Sequence, residues 1–186
     1  LRGRFSQPLL ARAGDIKRWS GTAFVDMPRM DVHELRRYVD LPFELTQGDG
    51  ALRAWIELAE GRPRSGTVDL ALRAVALRLA KNVDPLVFEQ VEGRLVAKQD
   101  DEGVSIGLQR FGFLTGDGVR WPQGDLSLSW KQREGQTVTA GQFSAQRLDL
   151  DVMAQVATRV PLGEAVRRLL AELNPQGVVT GLEASW

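Results

Sequence analysis

The chain has 186 residues, of which 43% are hydrophobic and 26% charged, a composition typical of a folded domain. Lys and Arg together number 24, as do Asp and Glu, so the formal net charge is zero. A nucleic-acid-binding domain usually carries a basic excess, so we expect no nucleic-acid partner. The sequence has no cysteine, which excludes disulfides, thiolate nucleophiles and cysteine-based metal sites.

Apolar and polar residues alternate with a period of two along much of the chain, which predicts β-strands with one apolar face. The pattern is clearest in 52–58, 104–108 and 126–130, where the even-numbered residues are apolar. At the end of the chain the same pattern places four residues on one face: Val178, Leu182, Ala184 and Trp186.

The stretch 65–80 is predicted to be one strand of about 50 Å. Its apolar residues change phase near Arg73 and Ala74, and a second phase change falls at Gln109 and Arg110. A phase change within a strand predicts a β-bulge, which bends the strand. The expected fold is mainly β with short helices (α+β). It is a long, curved, bulged antiparallel sheet that forms an open groove segment, with helices at the strand ends.

Stretches rich in Gly, Pro and Asp predict turns between the strands, among them 48–50, 61–64, 116–118 and 121–124. Helical spacing is confined to three segments. Asp31 begins the first with Glu34 in a capping box, and Asp149 or Asp151 begins the second. The third covers 162–173 and ends at Asn174.

A faint internal repeat relates the two ends of the chain. In 21–60 and again in 139–186, a strand runs into a helix led by Asp and then into a strand marked by Gly. The chain begins without Met and stops within an alternating pattern, so we expect 1–186 to be one segment of a much longer chain. No apolar run approaches the roughly 20 residues that span a bilayer, and we expect any anchor to lie outside this segment.

No motif of catalysis or metal binding is present. His33 is the sole histidine, and it lies beside Glu34 in the first predicted helix without a nucleophile motif. A carboxylate pair for glycoside hydrolysis has candidates on strand faces where charge usually means solvent exposure. These are Glu57, Asp69, Asp125, Asp149 and Glu183. We therefore expect no catalytic residue, no metal, no cofactor and no enzymatic activity.

Several motifs in the last third resemble a known family. The stretch 139–150 ends in Arg147-Leu148-Asp149-Leu150 and leads into a helix, and 169–177 follows with a Leu-x-Pro-x-Gly pattern before a strand to Trp186. Their order is similar to the YhdP branch of the AsmA-like proteins, and 50–55 is also similar to that branch. The resemblance covers most of the chain and rests on structural motifs.

This resemblance implies a periplasmic segment of a protein anchored in the bacterial inner membrane, which carries phospholipids between the inner and outer membranes along an apolar β-groove. The implied partners are phospholipid acyl chains, and the resemblance does not identify partner proteins at either membrane. The alternation supplies the candidate contacts, which are Leu52, Ile56, Val68, Leu70, Leu72, Leu126, Leu128, Trp130, Leu182 and Trp186. The alternative is a structural or protein-interaction module of the cell envelope without a ligand.

Overall fold

The computed structural model describes residues 2–6, 18–32, 43–100, 103–131, 140–161, 163–173 and 175–186. Their nine strands form one antiparallel sheet in which each strand pairs with the next one in the chain, and β1 and β9 form its edges. The strands are β1 (Arg2–Ser6), β2 (Ser20–Asp31), β3 (Glu44–Ala59), β4 (Arg62–Arg78), β5 (Leu86–Asp100), β6 (Gly103–Thr115), β7 (Arg120–Lys131), β8 (Ala140–Asp149) and β9 (Val178–Ser185). The helices are α1 (Leu150–Val156) and α2 (Glu164–Leu173). The predicted fold class is confirmed.

Each strand pairs with its neighbours in the chain, so the sheet is an antiparallel meander. The turn predicted at 116–118 is present, and the Gly118 N–H donates to the Thr115 carbonyl oxygen at 3.0 Å. The middle strands β3, β4 and β5 have 16, 17 and 15 residues. Strands of this length reach roughly 50 Å, well beyond the usual strand.

Both predicted bulges are present. Ala74 in β4 and Arg110 in β6 each have a φ of 48°, a conformation that costs a residue with a Cβ about 1–2 kcal/mol. The pairing register of β6 with β7 shifts between Leu108 and Phe111, around Arg110. The Arg110 N–H, displaced from the ladder, donates to Asp125 Oδ1 at 2.7 Å.

Further irregularities lie near these bulges on neighbouring strands. The register shifts between Met27 and Met30 on β2 and between Phe88 and Gln90 on β5. Together with the two bulges they form a band across the sheet, which we call the crease. Leu72 and Val75 lie on either side of the β4 bulge and belong to one core cluster. In a regular strand, residues three apart would point to opposite faces. Because bulges bend strands, the crease divides the sheet into an upper half, toward the β3–β4 turn, and a lower half, toward the helices.

Two predicted turns are wrong, because both segments lie inside strands. Residues 121–124 belong to β7 and pair irregularly with β6, since Gly124 lies opposite Phe111 and Trp121 opposite Phe113. Such an irregularity accommodates Pro122 within a strand. Residues 48–50 belong to β3. A Cβ at Gly50, whose φ is 144°, would collide with the backbone oxygen of Ala71 on β4. The glycine there permits close strand approach.

The last strand also differs from its prediction. Gly181 has a φ of 64° and changes the phase of β9, so Val179 packs against the core while Val178 is 44% exposed. Leu182 lies opposite Ala145, and residue 184 lies opposite Phe143, on the predicted apolar face. The predicted shared face is therefore wrong for Val178.

The helices follow the predicted signals. Asp149 caps α1, and its Oδ1 accepts a hydrogen bond from the Val152 N–H at 3.2 Å. Helix α2 lies within the predicted 162–173. Val32 follows β2 in helical conformation, and the rest of the first predicted helix, with His33 and Glu34, lies outside the described residues.

Each half of the predicted repeat contains a pair of antiparallel neighbours. The strands β2 and β3 pair in 21–60, and β8 and β9 pair in 139–186. The repeat itself stays a prediction.

Candidate functional site

The sheet presents one apolar face, which we call the inner face. Directly opposite residues on paired strands share a face, so the register identifies its members. One row crosses eight strands and is apolar at every position: Val25, Ala54, Val68, Leu95, Leu108, Leu126, Ala145 and Leu182. A continuous apolar row of this kind follows from alternation on every strand in matching register.

All ten predicted contact residues lie on the inner face. Leu52 is opposite Leu70, and Leu126 is opposite Ala145, whose other partner is Leu182. The others follow by two-residue alternation along the same strands, except Trp186, which exchanges backbone hydrogen bonds with Gly141 beside Trp130. Leu72 is 8% exposed within a core cluster, Trp186 is 58% exposed, and the remaining eight are half-buried. Lipid contact by these residues stays a prediction.

The sequence prediction omitted several residues of the same face. Leu95 on β5, Ile106 on β6 and Phe143 on β8 occupy equivalent half-buried positions. The alternation of apolar and polar residues around these three positions is present in the sequence. Their membership of one continuous surface depends on the pairing register of neighbouring strands, which the sequence pattern does not supply.

The opposite surface, the outer face, is polar. A row of alternating charge crosses it just above the crease, formed by Asp26, Arg53, Asp69 and Arg94 on four consecutive strands. Arg94 donates two hydrogen bonds to Asp69, from Nε at 2.6 Å and from Nη2 at 2.9 Å. These bonds hold the pKa of the Asp69 carboxyl below its usual range, because they stabilise its charged form.

On β7 and β8 the outer face carries hydroxyl groups. Ser127 and Ser144 lie opposite each other there, with their side-chain oxygens 2.7 Å apart. An exception is Trp55, which is 40% exposed on this face and contacts Phe24 with ring centroids 5.2 Å apart. The two faces therefore differ clearly in polarity, as expected for a sheet that is wet on one side.

In the lower half the inner face is covered. Val75 is 1% exposed and Val32 is fully buried, and both belong to a cluster with Met30, Leu72 and Phe88. A second cluster buries Val152 of α1 against Trp121, Ala145 and Leu148. Phe113 packs against both clusters and lies 5.1 Å from Phe88 and 6.0 Å from Trp121 between ring centroids. The lower half is thus a packed core.

Hydrogen bonds join the segment after α1 to two strand connections at the lower edge of the sheet. The Asp84 N–H, in the β4–β5 connection, donates to the Thr158 carbonyl oxygen at 3.2 Å. Arg159 Nη2 donates to the Asp117 carboxylate in the β6–β7 turn, which also accepts from the buried Thr115 hydroxyl. These two hydrogen bonds, chiefly that from Arg159, hold the pKa of Asp117 well below its usual range.

Four of the carboxylates considered for hydrolysis have structural partners. Asp69 pairs with Arg94, Asp125 accepts from the bulged backbone, and Asp149 caps α1. Glu57 accepts a hydrogen bond from the Ser65 hydroxyl at 2.8 Å. Across the part of the chain that the structure describes, no group of three or more His, Cys, Asp or Glu side chains is placed to hold a metal ion.

Within the described part of the chain, the sheet is open at both edges and the upper half of its apolar face is partly uncovered, which defines a groove-type protein. The chain belongs to the YhdP protein family, whose profile matches residues 3–186. This confirms the resemblance to the YhdP branch of AsmA-like proteins. Neither the curated proteins nor the solved structures contain a match to the chain. Among the described helices, none has the length and apolar character needed to cross a bilayer.

Proposed function

We propose that this chain is a segment of a periplasm-spanning protein that carries phospholipids between the inner and outer membranes along its inner face. The observation that carries the proposal is the upper half of that face, which the described residues leave partly uncovered. There Leu70, Leu126 and Leu128 are half-buried on a continuous apolar surface, while the outer face bears charges and hydroxyls. A sheet with one apolar face requires a partner for it, and α1 covers part of the lower half alone.

Acyl chains suit such a surface for a simple physical reason. Each methylene group that leaves water contributes about 0.8 kcal/mol, so aliphatic side chains hold a lipid chain without specific polar contacts. The surface is also continuous from β2 to β9, as the apolar row from Val25 to Leu182 demonstrates. A lipid can therefore move along it by exchanging one set of aliphatic contacts for an equivalent set.

The proposed role is non-enzymatic. It places this chain in the periplasm as part of an inner-membrane-anchored protein, in agreement with its membership of the YhdP family. The packed lower half favours a second candidate, a structural module of the envelope in which the same face is covered by protein. The two roles differ in whether phospholipid accompanies the folded chain.

Lipid analysis of the purified chain tests the proposal. We expect phospholipid in the mass spectrum of the chain purified natively without detergent. The Leu128→Asp variant places a charge on the inner face and is expected to lose this lipid. Its matched control, Ser127→Asp, places the same charge on the outer face of the same strand and is expected to retain it.

Circular dichroism would establish that both variants keep the β-rich fold. Absence of phospholipid from the folded wild-type chain would favour the structural module. Equal lipid content in the two variants would show that the inner face is not where lipid binds.

A further inference from the structure

One row of outer-face residues crosses all nine strands, and we call it the outer row. Directly opposite residues on paired strands share a face, so the register identifies its members. They are Arg2, Phe24, Trp55, Thr67, Val96, Gly107, Ser127, Ser144 and Glu183. The row therefore has two aromatic rings on β2 and β3, and only short side chains, several with a hydroxyl group, from β4 to β8.

Trp55 presents its ring to solvent among polar neighbours. Phe24 lies beside it on β2 with ring centroids 5.2 Å apart, and Thr67 lies opposite on β4. Arg53 and Glu57 lie two positions away along β3 on the same face, roughly 7 Å from Trp55. Trp55 is 40% exposed, and both charged neighbours are exposed as well. An accessible aromatic ring is thus bordered by a guanidinium, a carboxylate and a hydroxyl group.

The apolar part of this surface is small. An aromatic side chain has 150–250 Å² to bury, so an indole that is 40% exposed offers roughly 100 Å². A stable protein interface buries about 800 Å² on each partner, around an apolar core. The exposed ring is therefore of a size to be covered by a small cyclic group and too small to form the core of a protein interface.

The charges beside the outer row are paired. Arg53 Nε lies 3.5 Å from Asp26 Oδ1, and Arg94 donates two hydrogen bonds to the Asp69 carboxylate. Because opposite charges alternate, this surface does not favour an anion or a cation through a net charge. Its carboxylates, guanidinium groups and hydroxyls still offer hydrogen-bond acceptors and donors. Such a surface suits a neutral ligand that is rich in hydroxyl groups.

A pyranose sugar combines these properties, because its ring has an apolar C–H face and an edge of hydroxyl groups. The C–H groups carry a partial positive charge and stack on the negative face of an aromatic ring. Neighbouring strands lie roughly 4.8 Å apart, which is comparable with the advance per sugar in a β-linked glycan. A glycan that crosses the strands along the outer row would therefore place about one sugar over each strand.

We propose that the outer row binds a β-linked glycan, with one sugar stacked on Trp55 and the following sugars lying over the short side chains toward Ser144. The source that we assign is the glycan strand of the bacterial cell wall. This choice of source rests on the proposed function, since a protein that spans the periplasm passes through the wall. Phospholipid and glycan would occupy opposite faces of the same strands and would not compete.

Two measurements test the proposal with the purified chain. Titration calorimetry measures the affinity for chitohexaose, the β-linked hexamer of N-acetylglucosamine, and co-sedimentation measures binding to protein-free cell-wall sacculi. We expect the wild-type chain to bind both. Trp55→Thr removes the ring but keeps high β-propensity, and it is expected to weaken chitohexaose binding by about tenfold or more, as for a central aromatic anchor. Trp55→Tyr keeps a flat ring and is expected to lose less than about threefold.

The matched control is Trp130→Thr, which removes a tryptophan from the inner face and is expected to leave chitohexaose affinity unchanged. Circular dichroism establishes that each variant is folded. Where Trp55→Thr does not fold, Arg53→Thr with Glu57→Thr replaces it, because these exposed residues border the ring without forming it. This double variant is expected to weaken binding by about threefold or more, since hydrogen bonds to charged groups are lost.

The proposal is overturned if the folded wild-type chain binds neither chitohexaose nor sacculi, which is the result expected of a surface that docks a protein. Equal affinity of the wild type and Trp55→Thr would also overturn it, as would equal affinity for maltohexaose, whose α-linked chain is curved. Binding of chitohexaose without binding of sacculi would overturn the assigned source.

Failure here and failure of the proposed function are distinguishable. A chain that carries phospholipid but binds no saccharide refutes the glycan surface alone. A chain that binds chitohexaose through Trp55 but carries no phospholipid refutes the proposed function and leaves the stacking surface in place. Leu128→Asp should lose lipid and keep its affinity for chitohexaose, whereas Trp55→Thr should do the reverse.

Discussion

Replacing a leucine by alanine at two positions of the inner face separates packing from ligand contact. Leu72 is 8% exposed and packs in the cluster with Val75 and Val91, whereas Leu128 is half-buried in the upper half. Truncation of a buried leucine leaves a cavity and costs about 2–5 kcal/mol, so we expect Leu72→Ala to lower the free energy of unfolding by ~3 kcal/mol. Leu128→Ala removes fewer packing contacts, and its expected cost is about 1 kcal/mol.

Thermal unfolding followed by tryptophan fluorescence, to which the buried Trp121 contributes, measures the Tm of both variants. A chain of this size loses roughly 2–4 °C of Tm per kcal/mol, which predicts a decrease of ~6–12 °C for Leu72→Ala. Leu128→Ala is expected to lose about a third of that in lipid-free protein. The reasoning is refuted if Leu128→Ala destabilises the protein as much as Leu72→Ala, because the surroundings of Leu128 would then be packed like the core cluster that contains Leu72.

Three further predictions concern the crease and its supports. Ala74→Gly, at a φ of 48°, should stabilise the chain by up to about 1 kcal/mol because glycine adopts this φ without steric cost, whereas Ala71→Gly on regular β4 backbone should destabilise it by about 0.5–1 kcal/mol; equal Tm shifts in the two variants would contradict the strained bulge. The Asp69 pKa is lowered in the folded state, so its stabilising contribution is present above the unfolded value of ~3.9 and is lost as pH falls through the lower folded value. Urea unfolding of Asp69→Asn should therefore be less pH-dependent below about pH 4 than that of the wild type, and identical pH dependence would count against the Arg94 bond. Arg159→Ala removes the ion pair with Asp117 and should speed hydrogen exchange of the α1 backbone amides. Unchanged protection of these amides in the variant would contradict this prediction.

The alternation of side chains predicted which faces are apolar because strand geometry fixes a period of two. It also predicted the bulges at Ala74 and Arg110, since each shifts the apolar phase within one strand. The same reasoning failed for 121–124, where Pro and Gly within an irregular strand have the composition of a turn. A turn and an irregular strand differ there only in their pairing with the neighbouring strand, in which Trp121 lies opposite Phe113.

The strand face on which each candidate side chain lies was predictable from the sequence, and its burial was not. Leu70, Leu72 and Leu128 have the same alternating signal in sequence, yet Leu72 is buried in a core and the other two are half-buried. The difference arises from tertiary structure, because the cluster that contains Leu72 also buries Val32 and Phe88, which are distant in the chain. The local sequence pattern predicts on which face of a strand a side chain lies. Its burial depends on which other parts of the chain pack against that face.

Photo-crosslinking in cells tests the central claim, that the inner face contacts acyl chains, most directly. A photoreactive amino acid is placed at Leu128 in the native protein, and its matched control occupies Ser127, the adjacent outer-face position on β7. The account predicts phospholipid adducts at position 128 and none at position 127. Equal labelling at the two positions, or no adduct at 128 in protein that is folded and produced at its normal level, would contradict it.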